Sequence, residues 1–176
     1  LGRKVSGARM GVVGLGRIGQ TIARRGLGFD MEVRYHTRRP VAGVPWAHEP
    51  SLVELAAWCD FLVVVTSGGP ATRHLINEAV LNALGPRSFL VNVARGTVVD
   101  EAALIRALEG GRIAGAGLDV FESEPQVPEA LLGMDNVVLL PHIASATHET
   151  RQAMGQRVMD NLEAFERTGQ LVSAAH

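Results

Sequence analysis

Gly14-Leu15-Gly16-Arg17-Ile18-Gly19 is the stretch whose reading decides the fold. Its three glycines have GxGxxG spacing. Glycine is abundant here, 20 of 176 residues, so the spacing alone says little. The setting gives it weight: the short apolar run Met10-Gly11-Val12-Val13 precedes it, and a helical pattern runs from Arg17 to about Leu27. In such a strand–turn–helix the first glycine permits a tight turn. The second lets a pyrophosphate approach the backbone, and the third lets helix and strand pack closely. Backbone N–H groups near Arg17 and Ile18 would bind phosphate oxygens at the helix start. The bland alternative is a glycine-rich turn that holds no ligand.

Outward from the loop, short β-rich runs alternate with helical patterns. Residues 31–35 read as a strand, and Ser51-Leu52-Val53-Glu54 has capping-box spacing and opens a short helix. Residues 61–65 form a wholly apolar strand. A helix follows, capped by Asn77 and closed by Gly85-Pro86, then a strand over 88–92. Asp100 caps a helix ending at Gly110-Gly111; strands over 113–118 and 137–140 flank a loop rich in Glu and Pro. Ser145 or Thr147 starts a last helix. Its Met154, Val158, Leu162 and Phe165 recur at helical spacing, His148 lies one turn in, and Gly169 ends it. Six or seven such strands make an α/β fold, a doubly wound parallel sheet with helices on both faces. Ligands of such sheets sit beyond the carboxyl ends of the strands, so residues just past a strand end are the functional candidates.

The second strand should end in an acid that takes a ribose 2′-hydroxyl. It ends instead in Tyr35-His36-Thr37-Arg38-Arg39, and Asp30 and Glu32 lie at its other end. A hydroxyl and two guanidiniums suit a 2′-phosphate through charge-assisted hydrogen bonds, which favours NADP over NAD. The competing reading is a solvated basic turn.

Three further positions pass the strand-end filter. Arg95, in Asn92-Val93-Ala94-Arg95-Gly96, offers a planar fork suited to a carboxylate; otherwise it is a surface arginine in a turn. His142 follows Leu139-Leu140-Pro141 and is placed as a proton donor, or else caps or packs. The loop Asp119-Val120-Phe121-Glu122-Ser123-Glu124-Pro125 offers a carboxylate to orient that imidazole. Spacing cannot choose between Glu122 and Glu124, and a solvated acidic loop is the alternative. Ser67-Gly68-Gly69-Pro70 follows the third strand, so its backbone, with Thr66 before it, could approach a cofactor.

Composition limits the partners. Hydrophobic residues make up 47% and charged residues 20%, which excludes disorder over most of the length. Seventeen Lys and Arg against 18 Asp and Glu leave a formal net charge of -1, so there is no bulk positive field for nucleic acid. No apolar run approaches the roughly 18–20 residues of a membrane span, and the basic N-terminus is not followed by a signal-peptide core. The opening on Leu1 rather than methionine points to an excised or truncated chain. The single cysteine, Cys59, excludes an internal disulfide framework; it reads as a packing residue, and a reducing cytoplasm is the expected location. Trp46 and Trp58 also read as packing residues. His48, His74, His148 and His176 fall outside the filter, no cluster has metal-ligand spacing, and no metal is expected.

Together, residues 14–19, 92–96 and 119–125 and the stretch Pro141-His142-Ile143-Ala144-Ser145 resemble, in order and approximate spacing, the NAD(P)-binding domain of the D-2-hydroxyacid dehydrogenases. The resemblance covers nearly all of the chain and implies a Rossmann-type sheet. Residues 35–39 and 145–151 are most similar to the glyoxylate/hydroxypyruvate reductase branch. The resemblance implies that Arg95 binds the substrate carboxylate and carbonyl, that His142 is the acid/base, and that Glu124, before Pro125, pairs with it. It also implies cofactor contacts from Gly14, Gly16, Arg17, Ile18, Gly19, His36, Thr37, Arg38, Arg39, Thr66, Val93, Ala94, Arg95, Asp119, His142, Ala144 and Ser145. His36 stands where NAD-preferring relatives keep an aspartate. Family members wrap this domain with a substrate-binding domain absent from residues 1–176, and usually dimerise through the cofactor-binding domain. The implied activity is hydride transfer between NADP(H), or NAD, and a small 2-oxo acid such as glyoxylate or hydroxypyruvate. The competing readings are a non-catalytic dinucleotide sensor and a phosphoglycerate dehydrogenase-like enzyme.

Overall fold

The computed structural model describes residues 2–174; Leu1 and His176 lie outside them. The chain forms two compact units, Leu1–His142 and Ile143–His176. The first is built on a sheet of seven parallel strands among the described residues: β1 (Arg9–Val13), β2 (Glu32–His36), β3 (Ala47–His48), β4 (Phe61–Val64), β5 (Phe89–Asn92), β6 (Gly115–Leu118) and β7 (Val137–Leu139). They run in the order β3-β2-β1-β4-β5-β6-β7. The helices between them are α1 (Arg17–Leu27), α2 (Leu52–Trp58), α3 (Glu78–Leu84), α4 (Glu101–Glu109) and α5 (Glu129–Leu132).

The period of two along each strand divides the apolar residues between two cores. Val13, Leu62, Val64 and Leu90 face one way and pack with Leu55 of α2, Leu81 of α3 and Leu104 of α4. Met10, Val12, Val33, Tyr35 and Val63 face the other way and pack with Ala23 of α1. Helices therefore cover both faces, which is why the central strand β4 is apolar throughout. Cys59 is buried in the first core, where burial pushes its thiol up to about 12. Trp58 packs on that core and Trp46 on the second.

Local chemistry sets most element ends. The Ser51 hydroxyl accepts from Glu54 N, Asn77 from Ala79 N and Val80 N, and Asp100 from Ala103 N. Several strand bounds shift: Val65, Ser88 and Leu140 fall just outside β4, β5 and β7, and the starts of β2 and β6 move for a local reason. The second strand begins at Glu32, because Met31 N still donates to the Gly26 carbonyl in the turn that ends α1. β6 begins at Gly115 rather than residue 113, because Ile113 and Ala114 lead into it and only residues from Gly115 onward pair with β5.

The second unit carries α6 (His148–Thr168). Thr147, rather than Ser145, is its cap, accepting from Thr150 N. His148 is thus the first helical residue, not one turn inside, and it is exposed. Met154, Val158, Leu162 and Phe165 are more than half exposed; of this unit's described residues only Ala164 is buried.

Asp60 joins β4 to the N-terminal segment. Its carboxylate accepts from Arg9 N, Nε and Nη2 and lies 2.8 Å from Arg3 Nη2. Burial pushes the carboxyl up, but the hydrogen bonds from Arg9 and the charge of Arg3 outweigh it and hold it below its ordinary value. A depressed carboxyl contributes stability that is present above its unfolded value and lost as pH falls through the folded one. Asp60→Asn is therefore expected to lower Tm at pH 7 by a few degrees, a cost of about 1–3 kcal/mol. The difference from wild type should shrink as pH drops below about 4. A difference that persists or grows in acid, measured by calorimetry, would count against the assignment.

Candidate functional site

The strand order reverses between β1 and β4, and the carboxyl ends of β1, β4, β5 and β6 open there into a groove. Gly14 turns at φ +95, and a Cβ on it would stand 2.8 Å from Thr66 N and Cα. A Cβ on Gly19 would meet the Gly14 carbonyl oxygen at only 2.1 Å, so this glycine lets α1 start directly against the turn. Gly16, the N-cap of α1, faces open space, with nothing within 4 Å of where its Cβ would be. The three glycines thus leave a bare backbone cradle at a helix start, which fits a pyrophosphate.

Two adjoining cavities of about 990 and 870 Å³ share residues 65–69. The first is lined by Gly14, Gly16, His36, Thr37, Arg38 and Arg39. Its basic turn is internally braced. His36 Nδ1 donates to the Glu49 carbonyl at 2.9 Å, and His48 Nε2 donates to the Thr37 carbonyl at 3.0 Å. Thr37 Oγ1 gives its proton to the Arg39 carbonyl at 2.7 Å, so this hydroxyl shapes the turn while the exposed guanidiniums remain as donors. His48, set aside on sequence, sits on the two-residue strand β3, which only its pairing with β2 reveals.

The second cavity is lined by Ile18, Thr66, Val93, Ala94, Arg95 and Glu124 among others. Asn92 shapes its floor: the side chain donates to the Arg95 carbonyl and accepts from Ala94 N. Arg95 lies on Gly68, where an added Cβ would stand 2.7 Å from its Cγ. Of the two loop carboxylates left open by spacing, Glu124 meets His142: Oε2 accepts from Nδ1 at 2.8 Å, and Oε1 accepts from Phe121 N at 3.0 Å. His142 itself stands at φ +53. The hydrogen bond from His142, with that from Phe121 N and the charge of Arg95, holds the Glu124 carboxyl below its usual range against the effect of burial. Asp119 is buried at the end of β6. Arg17 is exposed at the start of α1, and Ala144 and Ser145 belong to the second unit.

Sequence reasoning missed Arg73 and His74, which bond Glu122 on the rim of the second cavity. No local signal marks them, because their partner is nearly fifty residues away. Among the described residues, no group of three or more His, Cys, Asp and Glu is assembled to hold a metal ion, and no helix is long and apolar enough to cross a membrane.

The Arg95 turn and the Glu124 loop meet at Gly96, where a Cβ would stand 1.9 Å from the Phe121 carbonyl carbon. Backbone cannot yield as a flexible side chain does. Gly96→Ala is expected to force the two segments apart and cost several kcal/mol, on the scale of overpacking or more. A Tm within a degree of wild type would refute this.

Comparison with known proteins agrees with the geometry. The family model described as D-isomer specific 2-hydroxyacid dehydrogenase, NAD binding domain, matches residues 1–144. The chain is 50% identical over 161 residues to hydroxyphenylpyruvate reductase of Plectranthus scutellarioides, covering 92% of the chain and 51% of that protein. It is 50% identical over 165 residues to 2-ketogluconate reductase of Gluconobacter oxydans, covering 94% and 53%. Among solved structures, an NADPH-dependent glyoxylate/hydroxypyruvate reductase from Sinorhizobium meliloti, in complex with NADP and malonate, superposes with a TM-score of 0.93. The two are 51% identical, over 96% of this chain and 53% of that one. The chain spans about half the length of the curated relatives it matches.

Proposed function

Because the chain belongs to the D-isomer-specific 2-hydroxyacid dehydrogenase family, whose NAD-binding domain it carries, we propose that it is the cofactor-binding part of an NADP-dependent oxidoreductase acting on a small 2-oxo acid such as glyoxylate or hydroxypyruvate. The observation that carries the reading is the Glu124–His142 hydrogen bond at a cavity that Arg95 also lines.

In this reading Gly14, Gly16 and Gly19 with the start of α1 hold the pyrophosphate, and His36, Thr37, Arg38 and Arg39 surround the adenosine ribose. Ile18, Thr66, Val93, Ala94 and Asp119 flank the nicotinamide end. A reduced nicotinamide, when bound, supplies the hydride. Arg95 orients the substrate carboxylate and stabilises the negative charge that develops on the carbonyl oxygen. Glu124 holds the proton of His142 on Nδ1, which leaves Nε2 directed to deliver a proton to that oxygen.

The test is calorimetry of the 176-residue chain with NADPH. Saturable binding at one site per chain is expected, and absence of binding would overturn the reading. A homodimer in the cytoplasm belongs to the same proposal, supported by the family resemblance and the lone, buried Cys59. Light scattering at tens of micromolar should return twice the 18.8 kDa chain mass; a monomer mass would refute the dimer.

A further inference from the structure

Two carboxylates flank Ser123, and each holds a different histidine. Glu124 takes His142. Glu122 Oε1 accepts from Arg73 Nη2 at 2.8 Å and from His74 Nε2 at 2.9 Å. His74 stands at φ +49, a left-handed conformation that persists where the surroundings determine it. Its own N–H donates to the Thr97 carbonyl at 2.9 Å. One short segment, Arg73 and His74, thus grips both the loop after β6 and the turn after β5. Glu122 N donates in turn to Glu101 Oε2 on α4 at 3.1 Å, which fixes the loop from behind. The Arg73 side chain is 57% exposed, so its ion pair contributes little to stability. What the contacts supply is position: Glu122 is tied to two neighbouring segments, and Glu124 lies two residues further along the same loop.

We propose that Arg73 and His74, acting through Glu122, are positioning residues that hold the loop after β6 in the register at which the Glu124 carboxylate reaches His142. The functional weight of this inference rests on the reading of Glu124 and His142 as the acid/base pair; the geometric claim is tested without turnover.

The experiment follows the Glu124 side-chain carboxyl by carbon-13 NMR through a pH titration of the labelled 176-residue chain. The charged groups around that carboxyl are His142, Arg95 and Glu122, with Glu101 behind the loop. In wild type it titrates below the ordinary glutamate range, because His142 and Phe121 N bond its charged form. Two effects of Glu122→Ala have opposite signs. Removing a nearby negative charge would lower the Glu124 midpoint. Releasing the loop would lengthen the His142 hydrogen bond and raise it. The expected result is a rise of about 0.5 unit or more. Glu122→Gln keeps an oxygen for Arg73 and His74, and its midpoint should stay at or below wild type. A fall or no change in Glu122→Ala overturns the proposal. So does a rise in Glu122→Gln as large as in Glu122→Ala. NADPH calorimetry on each variant reports that the glycine loop is folded. Should Glu122→Ala not fold, Glu122→Ser removes the same acceptor. Failure of wild type to bind NADPH would strike at the oxidoreductase reading and leave the titration result standing.

Discussion

Joined to the substrate-binding half of a relative, this chain should reduce 2-oxo acids orders of magnitude faster than it does alone, and His142→Ala should remove about 10²–10⁴ of the restored rate. Arg95, Glu124 and His142 are all exposed in the chain by itself. Open to solvent, these residues neither enclose a substrate nor exclude water from the reacting atoms. Such positioning is worth roughly 7–11 kcal/mol, more than one general acid supplies. Arg95→Ala should also collapse the rate, because in the proposed mechanism the planar guanidinium serves the carboxylate and the developing oxyanion together. The assay is NADPH absorbance with glyoxylate and hydroxypyruvate. Turnover near 10 s⁻¹ by the 176-residue chain alone, about the median for enzymes, would show that the site is complete as it stands.

The second large effect concerns the cofactor. The chain is expected to bind NADPH at least about tenfold more tightly than NADH, and Arg38→Ala with Arg39→Ala should abolish most of the difference. Arg38 and Arg39 line the cavity beside the glycine loop, on a turn braced by His36, Thr37 and His48. The turn is therefore formed before any ligand arrives, and the loss should fall on the 2′-phosphate contact rather than on folding. No acid lies at His36 to favour an unphosphorylated ribose. Raising the salt concentration should narrow the preference, since exposed charges are screened. Equal affinity of wild type for NADPH and NADH by calorimetry would refute the assignment.

Much of this molecule is written locally in its residues. GxGxxG between an apolar run and a helical pattern marks the turn, because only glycine accepts φ +95 at Gly14 and only glycine fits 2.1 Å from a carbonyl at Gly19. Ser51, Asn77 and Asp100 announce helix starts, since a capping side chain reaches N–H groups only two or three residues ahead. The apolar runs announce the parallel sheet, because both of its faces are covered. These devices act within a few residues of chain, so order and spacing reveal them.

The pairing of histidines with carboxylates was decided elsewhere. Glu122 and Glu124 are equivalent in spacing, and their partners lie 48 and 18 residues away; only the convergence of the β4, β6 and β7 ends assigns His74 to one and His142 to the other. β3 has no pattern of its own and exists because Arg34 and Tyr35 of β2 offer it a ladder. The first half of the site, a backbone cradle, depends on what single residues permit. The second half depends on side chains that meet across the ends of separate strands, and such meetings are fixed by packing of the whole sheet rather than by any local rule.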